Sequence, residues 1–335
     1  MLEGEQVMGQ ADQDKKLLLN RPFVGIPSFL RAPICSNLNE LNADIAVMGV
    51  PTDEGSPFMP GTRFGPRGIR EQSLRFYSSG SELYNPENGE VLLERELAEG
   101  RLVDVGDVDI LPTNVVGTFE NITEMTRRIL KRKAMPVVLG GDHAITYPVV
   151  RAYHDPIHVL HLDAHTDYGP FTHGMEMTNG HAFRHIRRMG HVQSLTQVGM
   201  RGLRTPRVNV ESSRADGNRV VPIGEFRKLG PEGSFDRVTA NAPCYVSIDI
   251  DVLDMSLVPG CVSAEPDGMS YRDLSNTLLY IAKTFDVVGF DLVEVNPQLD
   301  IGTGATAYLA AYLILEFLGY VAAQPRWSAR HQKTS

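Results

Sequence analysis

The segment HLDAHTDYG, at positions 161–169, carries side chains that can hold a proton or a metal at every second position, namely Asp163, His165 and Asp167. It continues a short apolar run, which is typical of a buried strand. Residues two apart in an extended segment point to the same side, so these three side chains converge where the strand ends. Because burying unpaired charge is costly, the concentration of charge indicates that something binds there.

Two further segments repeat this pattern. In VSIDIDVLD, Asp249 and Asp251 are two positions apart at the end of an apolar run. In LGGDHAITY, Asp142 and His143 follow two glycines that permit a tight turn. Sites in open α/β sheets form beyond the carboxyl ends of the strands, and all three clusters occupy positions of that kind. We therefore expect them to meet in one site.

The combined set of aspartates and histidines predicts a metal centre. Without cations, these groups would repel one another and face a heavy desolvation cost. Carboxylate and imidazole ligands without cysteine suit manganese, with zinc, nickel or iron as alternatives. Six ligands exceed the needs of one catalytic ion, so we expect two ions about 3.5–4 Å apart that lower the pKa of a bound water from 15.7 to about 7. An EF-hand is disfavoured, because Asp254 stands where that loop needs glycine.

The elements that must position these residues follow an alternating pattern. Short apolar runs rich in β-branched residues predict seven buried parallel strands, at 44–50, 101–106, 135–140, 157–163, 194–200, 244–250 and 286–292. Helical spacing predicts helices in TFENITEMTRRILKRK, in RDLSNTLLYIAKTF behind a Ser270–Asp273 capping box, and in the mostly buried ATAYLAAYLILEFLGY. The fold class is therefore α/β, a three-layer α/β/α arrangement with a central parallel β-sheet. We expect one domain over 1–335, with flexible ends at 1–20 and 328–335.

The composition excludes several classes of protein. With 335 residues, 42% hydrophobic and 22% charged, the chain is typical of globular proteins with a large core. A net charge of −9 disfavours a nucleic-acid partner. Three cysteines without a CxxC pair indicate a reducing compartment. A polar N-terminus, and no uninterrupted apolar run of membrane-spanning length, predict a cytoplasmic protein with no membrane partner.

In their order along the chain, GGDH, DAHTD and SIDIDVLD resemble the three signatures of the ureohydrolase family, which comprises arginases, agmatinases and guanidino-acid amidinohydrolases. The similarity covers most of the chain, and PGTRFGPRGIR, QVGMRG and DLVEVNPQLD resemble the agmatinase branch. The resemblance implies an arginase/deacetylase-like fold and a homo-oligomer, trimeric or hexameric. It also implies cleavage of the C–N bond of agmatine, a guanidino acid or a small guanidine to urea and an amine, by a hydroxide that bridges two metals.

The resemblance also implies roles for individual residues. One manganese is expected at His143, Asp163, Asp167 and Asp249, and the other at His165, Asp163, Asp249 and Asp251. Asp167 is expected to orient the hydroxide and Glu294 to bind the guanidinium. In the loop after the first strand, Asp53 is predicted to contact the substrate. Arg204 is interpreted as a solvated arginine rather than a residue that reaches a substrate carboxylate.

The sequence departs from the family at one position. Asn179 stands where an H-G-x-x-F segment commonly carries a histidine assigned to proton shuttling, and asparagine can bind substrate but cannot accept the proton. His181 or His173 could replace it. The departure leaves open a guanidine or alkylguanidine hydrolase that uses nickel, or a catalytically weak paralogue in a hetero-oligomer. A deacetylase is disfavoured, because the sequence contains no His-His pair.

Overall fold

The computed structural model describes residues 21–76, 82–87 and 89–331. Its strands are β1 Ile45–Gly49, β2 Tyr84–Asn85, β3 Glu90–Val91, β4 Leu102–Asp107, β5 Met135–Leu139, β6 Ile157–Leu162, β7 Val192–Met200, β8 Arg219–Pro222, β9 Pro243–Asp249 and β10 Asp286–Val293. Eight of these form one sheet in the order β4-β1-β5-β10-β9-β6-β7-β8, with every neighbouring pair parallel. The remaining two, β2 and β3, form an antiparallel hairpin.

Within the described residues, ten α-helices accompany the sheet: α1 Gly65–Ser73, α2 Glu94–Ala98, α3 Val115–Lys131, α4 Thr146–Val150, α5 Ala182–Arg187, α6 Arg207–Ala215, α7 Ile223–Ser234, α8 Tyr271–Thr284, α9 Ala305–Ala322 and α10 Pro325–His331. The helices cover both faces of the sheet. In β1, Val47 packs in a core cluster with residues of α8 and α9, whereas Ala46 and Met48 pack in a second cluster with residues of α3. This alternation follows from the two-residue period of a strand, and it confirms the predicted α/β fold with a central parallel sheet.

All seven predicted strands are present, and so are the three predicted helices. The capping box of α8 is confirmed, because the Asp273 amide donates to Ser270 Oγ at 3.1 Å and the Ser270 amide donates to Asp273 Oδ2 at 3.0 Å. Strand β8 and the β2–β3 hairpin were not predicted from the sequence. These strands have two to four residues, which is too short for periodicity to register.

The predicted flexible end at 328–335 needs a correction. Residues 328–331 belong to α10, which is held to the body of the protein from both of its ends. Trp327 Nε1 donates to Glu96 Oε1 at 2.9 Å, and His331 Nδ1 lies 3.1 Å from Asp44 Oδ1. Residues 1–20 and 332–335 lie outside the described residues, so their flexibility and the single domain over 1–335 stay predictions.

Helix α9 is long and apolar enough to cross a membrane by length and composition, with a mean hydropathy of 1.5 over 18 residues. It is the one helix with these properties in the part of the chain that the structure describes. However, 72% of that window is buried inside the protein, where α9 packs against α1 and α8. Such burial is typical of a core helix, as the sequence predicts for this segment.

Candidate active site and metal centre

The chemically active side chains meet at one edge of the sheet. Strands β5, β10, β9 and β6 are neighbours in the middle of the sheet, and each ends beside a candidate residue. His143 follows β5, Asp163 follows β6, Asp249 ends β9 and Glu294 follows β10. Because parallel strands bring their carboxyl ends to the same edge, residues from distant stretches of chain converge there.

The ring of His143 is surrounded by three carboxylates. Its Nδ1 lies 3.1 Å from Asp163 Oδ2, 3.2 Å from Asp167 Oδ2 and 3.1 Å from Asp249 Oδ2. His143 and Asp163 are fully buried, and Asp249 is 3% exposed. The structure therefore brings together the four residues that the resemblance implies for one metal ion.

A second histidine faces the other side of the same carboxylates. His165 Nδ1 lies 3.1 Å from Asp251 Oδ2 and 3.4 Å from Asp163 Oδ1. Asp163 thus offers one oxygen to each histidine. The Asp249 carboxylate accepts from the Asp251 amide at 2.8 Å through Oδ1 while Oδ2 faces His143. All six predicted ligands lie in one cluster, and Asp163 stands between its two halves.

The hydrogen bonds behind His143 decide which ring nitrogen carries the hydrogen. His143 Nε2 lies 2.8 Å from Ser247 Oγ, and the Ser247 hydroxyl donates to Asp291 Oδ1 at 2.7 Å. The serine oxygen therefore accepts from Nε2–H. Buried Asp291 also accepts from Tyr245 OH and Thr146 Oγ1, at 2.8 and 2.9 Å. In the neutral ring, Nδ1 then presents a lone pair to three carboxylate oxygens, an arrangement that becomes favourable when a proton or a metal ion lies between them.

The pKa values report the same crowding. Burial and the charges of Asp251 and Asp163 raise the pKa of Asp249 well above its ordinary value. Burial opposes the charge on His143, but its hydrogen bonds with Asp163, Asp167 and Asp249 raise its pKa well above the ordinary value. For His165 burial also opposes the charge, yet Asp251 and Asp163 raise the pKa to about 12. The crowded carboxylates are therefore stabilised by positive charge placed among them. The carboxylate oxygens and imidazole nitrogens of the cluster fit hard divalent ions.

Sequence reasoning missed the residues that orient the candidate ligands. His161 Nε2 lies 2.7 Å from Asp163 Oδ2, its Nδ1 lies 3.0 Å from Gln197 Nε2, and its ring stacks on Phe183 at a centroid distance of 3.6 Å. Since the Gln197 amide donates to Nδ1, Nε2–H donates to Asp163. The available signal was the position of His161, two residues before Asp163 and therefore on the same side of the strand.

Two other nearby groups are poor candidates for metal ligands. Asp142 caps the short 3₁₀ turn His143–Ile145, because its Oδ1 accepts from the Ala144 amide at 3.0 Å and its Oδ2 accepts from the Gly55 amide at 2.8 Å. Cys261 lies near Asp249 and Asp251. Burial, followed by the charges of Asp251 and Asp249, raises the pKa of its thiol well above the ordinary value, so the thiol stays protonated.

Glu294 is buried beside the cluster in a strained conformation. Its φ of 65° lies in the left-handed region, which costs a residue other than glycine about 1–3 kcal/mol. The backbone is held there by a hydrogen bond from the Glu294 amide to Gly141 O at 2.9 Å. Its Oε1 accepts from the His143 amide at 2.9 Å. Burial, and then the charge of Asp142, raise the pKa of Glu294 to about 8.

An open cleft of about 220 Å³ leads to this cluster. Its lining includes three acidic residues, Asp167, Asp249 and Glu294, and also Asn179 and Arg204. Asn179 Nδ2 lies 3.5 Å from Glu294 Oε1, so the residue at the family's histidine position faces the predicted guanidinium-binding carboxylate. The cleft therefore holds both the candidate ligands and the candidate substrate-binding groups.

The structure places other predicted site residues away from this cleft. His181 is buried with its Nδ1 2.7 Å from Thr178 Oγ1 and its Nε2 3.2 Å from Pro170 O. His173 is exposed on the preceding loop. Asp53 is buried, and its Oδ2 accepts from the Gly61 amide at 2.6 Å while its Oδ1 accepts from Arg63 Nε at 2.6 Å. Asp53 thus folds the loop between residues 53 and 63 and does not line the cleft.

Comparison with known proteins gives a consistent relationship. Residues 43–319 match the arginase family. The chain is 32% identical over 304 residues to proclavaminate amidinohydrolase of Streptomyces clavuligerus, covering 88% of this chain and 93% of that protein. It is 34% identical over 303 residues to mitochondrial guanidino acid hydrolase of Homo sapiens, covering 88% and 82%. The solved structure of the Streptomyces clavuligerus enzyme superposes with a TM-score of 0.80, covering 90% of this chain and 99% of that one.

The family match spans every strand of the central sheet and all of the clustered residues. The sequence identity with the Streptomyces clavuligerus enzyme is above 30% over most of both chains, and the two proteins have the same fold. The hydrogen-bonded cluster lies where the segments that carry the family signatures meet. The chain therefore belongs to the arginase family, whose members are hydrolases that act on carbon–nitrogen bonds of linear amidines.

Proposed function

We propose that this protein hydrolyses the C–N bond of a linear guanidino compound, releasing urea and an amine, at a centre of two divalent metal ions. One observation carries the proposal. The Nδ1 atoms of His143 and His165 both face carboxylates, and Asp163 offers one oxygen to each of them. Such a symmetric cluster needs two cations rather than one.

The donor atoms indicate which ions are held. His143, Asp163, Asp167 and Asp249 would hold one ion, and His165, Asp163, Asp249 and Asp251 the other. Oxygen and imidazole donors favour Mn²⁺, and Ni²⁺ is the alternative. When bound, the ions supply a water whose pKa is low enough to provide a hydroxide nucleophile at neutral pH.

The protein's own groups bind and orient the substrate. A guanidinium keeps its charge at physiological pH, and its planar fork matches a carboxylate. Glu294 presents that carboxylate in the cleft, where its Oε1 accepts from the His143 amide at 2.9 Å and lies 3.5 Å from the Asn179 amide. The similarity to an enzyme named guanidino acid hydrolase supports a guanidino substrate.

We assign the proton transfers to Asp167 rather than to His181. Asp167 lines the cleft and carries a carboxylate that can take up and return a proton. Both ring nitrogens of His181 already have partners outside the cleft. Asp167 also has a left-handed φ of 44°, and its Oδ2 lies 3.2 Å from His143 Nδ1 within the cluster.

The decisive experiment is urea release from purified protein loaded with Mn²⁺ or Ni²⁺. The panel of substrates is agmatine, guanidinobutyrate, guanidinopropionate, arginine, guanidine and dimethylguanidine. We expect urea from at least one of them, loss of activity on chelation, and recovery when the metal returns. Urea release that survives removal of all divalent metal would refute the proposal.

A catalytically weak subunit of a hetero-oligomer is the alternative that the Asn179 position raises. The complete cluster of six ligand side chains argues against it, since a retired site has no reason to keep them. The variant Asn179→His separates the two. A large gain in turnover would favour the weak subunit, and a loss would support a specialised pocket. The homo-oligomeric state and the cytoplasmic location stay predictions.

A further inference from the structure

The charges that line the cleft are unevenly distributed. Its buried side carries Asp167, Asp249 and Glu294, which suit a cationic guanidinium. Among the described residues that line it, Arg204 is the one arginine or lysine, and its side chain is 60% exposed. A ligand bound in this cleft therefore has in its wall, besides Glu294, the guanidinium of Arg204, which pairs along one edge with Glu265.

Arg204 is held in place by one edge of its guanidinium. Its Nε donates to Glu265 Oε1 at 2.8 Å, and its Nη2 donates to Ser263 O at 2.7 Å. In the described part of the chain, Nη1 has no hydrogen-bond partner, so its N–H groups remain available to donate to a second carboxylate.

This guanidinium lies directly beside the candidate metal centre. Arg204 Nη2 is 3.4 Å from His165 Nε2, and the Nδ1 of the same ring faces Asp163 and Asp251. One imidazole ring thus separates Arg204 from the centre. Because Glu294 lines the same cleft as Arg204, a linear molecule bound there has both side chains in its walls.

Two further polar groups in the cleft lack partners. Thr166 is 1% exposed and lines the cleft, and its hydroxyl has no hydrogen-bond partner in the described chain. The buried amide oxygen of Asn209, also in the lining, has none among those residues either. A buried polar group without a partner is costly, so these groups indicate a ligand with polar atoms beyond its guanidinium. Rotation of the Asn209 amide lets it donate as well as accept.

We propose that the substrate carries a carboxylate at the end opposite its guanidinium, and that Arg204 is the residue that selects this linear guanidino acid. The inference rests on the proposed hydrolysis of a guanidino compound. It also revises the interpretation of Arg204 as a merely solvated side chain. A substrate with a cationic tail would place an ammonium beside Arg204, where like charges repel.

The test compares three substrates that share the guanidino group but differ in the charge of the tail: 4-guanidinobutyrate, propylguanidine and agmatine. The variant is Arg204→Gln, and the control is Arg207→Gln, which removes the same charge three positions away from a side chain that is 87% exposed. In the wild type we expect kcat/KM to follow the order guanidinobutyrate, propylguanidine, agmatine. In Arg204→Gln the ratio of guanidinobutyrate to propylguanidine should fall about 10- to 100-fold, the value of a hydrogen bond to a charged group.

Binding supplies a readout that does not depend on turnover. Calorimetric titration of 4-aminobutyrate, the amine product of guanidinobutyrate, should show weaker binding to Arg204→Gln than to Arg207→Gln, with equal metal content in both. If both variants keep the wild-type substrate ratio and bind 4-aminobutyrate equally, the role of Arg204 is refuted while urea release still supports the hydrolase. If no guanidino compound yields urea, the proposed function is refuted, and so is the proposal that the substrate carries a carboxylate.

Discussion

Ser247→Ala removes the hydroxyl that fixes the ring of His143. In the wild type this hydroxyl accepts from Nε2–H at 2.8 Å and donates to Asp291 Oδ1 at 2.7 Å, and all three residues are fully buried. Without the acceptor, the tautomer with its hydrogen on Nδ1 becomes favourable, because Nδ1–H can then donate to the carboxylates around it. That tautomer cannot bind a metal through Nδ1. We therefore expect weaker metal binding.

The expected losses of metal affinity and stability in Ser247→Ala follow from the hydrogen bonds that the variant keeps and those that it loses. Partners that orient a metal-binding histidine are typically worth 10- to 100-fold in metal affinity, which corresponds to about 1.4–2.8 kcal/mol. Asp291 keeps its bonds from Tyr245 and Thr146, so we expect the fold to persist. Two buried groups lose one partner each, at about 1–3 kcal/mol of unfolding free energy per group.

The matched control is Tyr245→Phe, which removes a hydrogen bond of 2.8 Å to the same Asp291 carboxylate without touching His143. The assay is metal bound per chain at equilibrium with buffered free Mn²⁺, together with denaturant unfolding of both variants. We expect similar losses of stability but a loss of metal affinity in Ser247→Ala alone. Equal metal affinities in the two variants would refute the role of Ser247 in fixing the His143 tautomer.

Three further outcomes are expected. Glu294→Gln should lower kcat/KM about 10²- to 10⁴-fold, the value of two charge-assisted hydrogen bonds, with unchanged metal content; activity near that of the wild type would contradict its role in binding the guanidinium. Asn179→Leu removes the amide that faces Glu294 Oε1 and should lower kcat/KM about tenfold, measured as urea release on the preferred substrate; an unchanged value would show that the amide does not support Glu294. Asp44→Asn should cost about 3–5 kcal/mol of unfolding free energy at pH 7, because it leaves Arg95 and Arg101 facing a neutral partner. Burial opposes ionisation of Asp44, but hydrogen bonds from His331, Arg101 and Arg95 lower its pKa below the ordinary value. The contribution of the ionised Asp44 to stability is therefore complete above a pH near 3.9, the ordinary pKa, and is lost as the pH falls toward the lowered pKa. The stability gap between wild type and variant should therefore narrow below pH 3.9, and a gap that stays constant from pH 7 to pH 3 would show that this ionisation does not matter.

The sequence by itself determined the fold class and the cluster of candidate ligands. Strand periodicity located seven of the eight strands of the main sheet, because a buried parallel strand is a local pattern of apolar residues. The two-residue spacing of Asp163, His165 and Asp167 put their side chains on one side of the chain, and the rule that sites form at carboxyl ends of parallel strands brought the three segments together.

Only the tertiary structure decided how these groups are oriented and what else faces them. The amide of His143 binds Glu294 across 151 positions of sequence, and His161 meets Gln197 across 36. Arg204 was interpreted as a solvated side chain and His181 as a candidate proton shuttle. In the structure, Arg204 lines the cleft and His181 does not. Local periodicity carries no information about such distant partners, because hydrogen bonds and ion pairs depend on where the packed sheet places each loop.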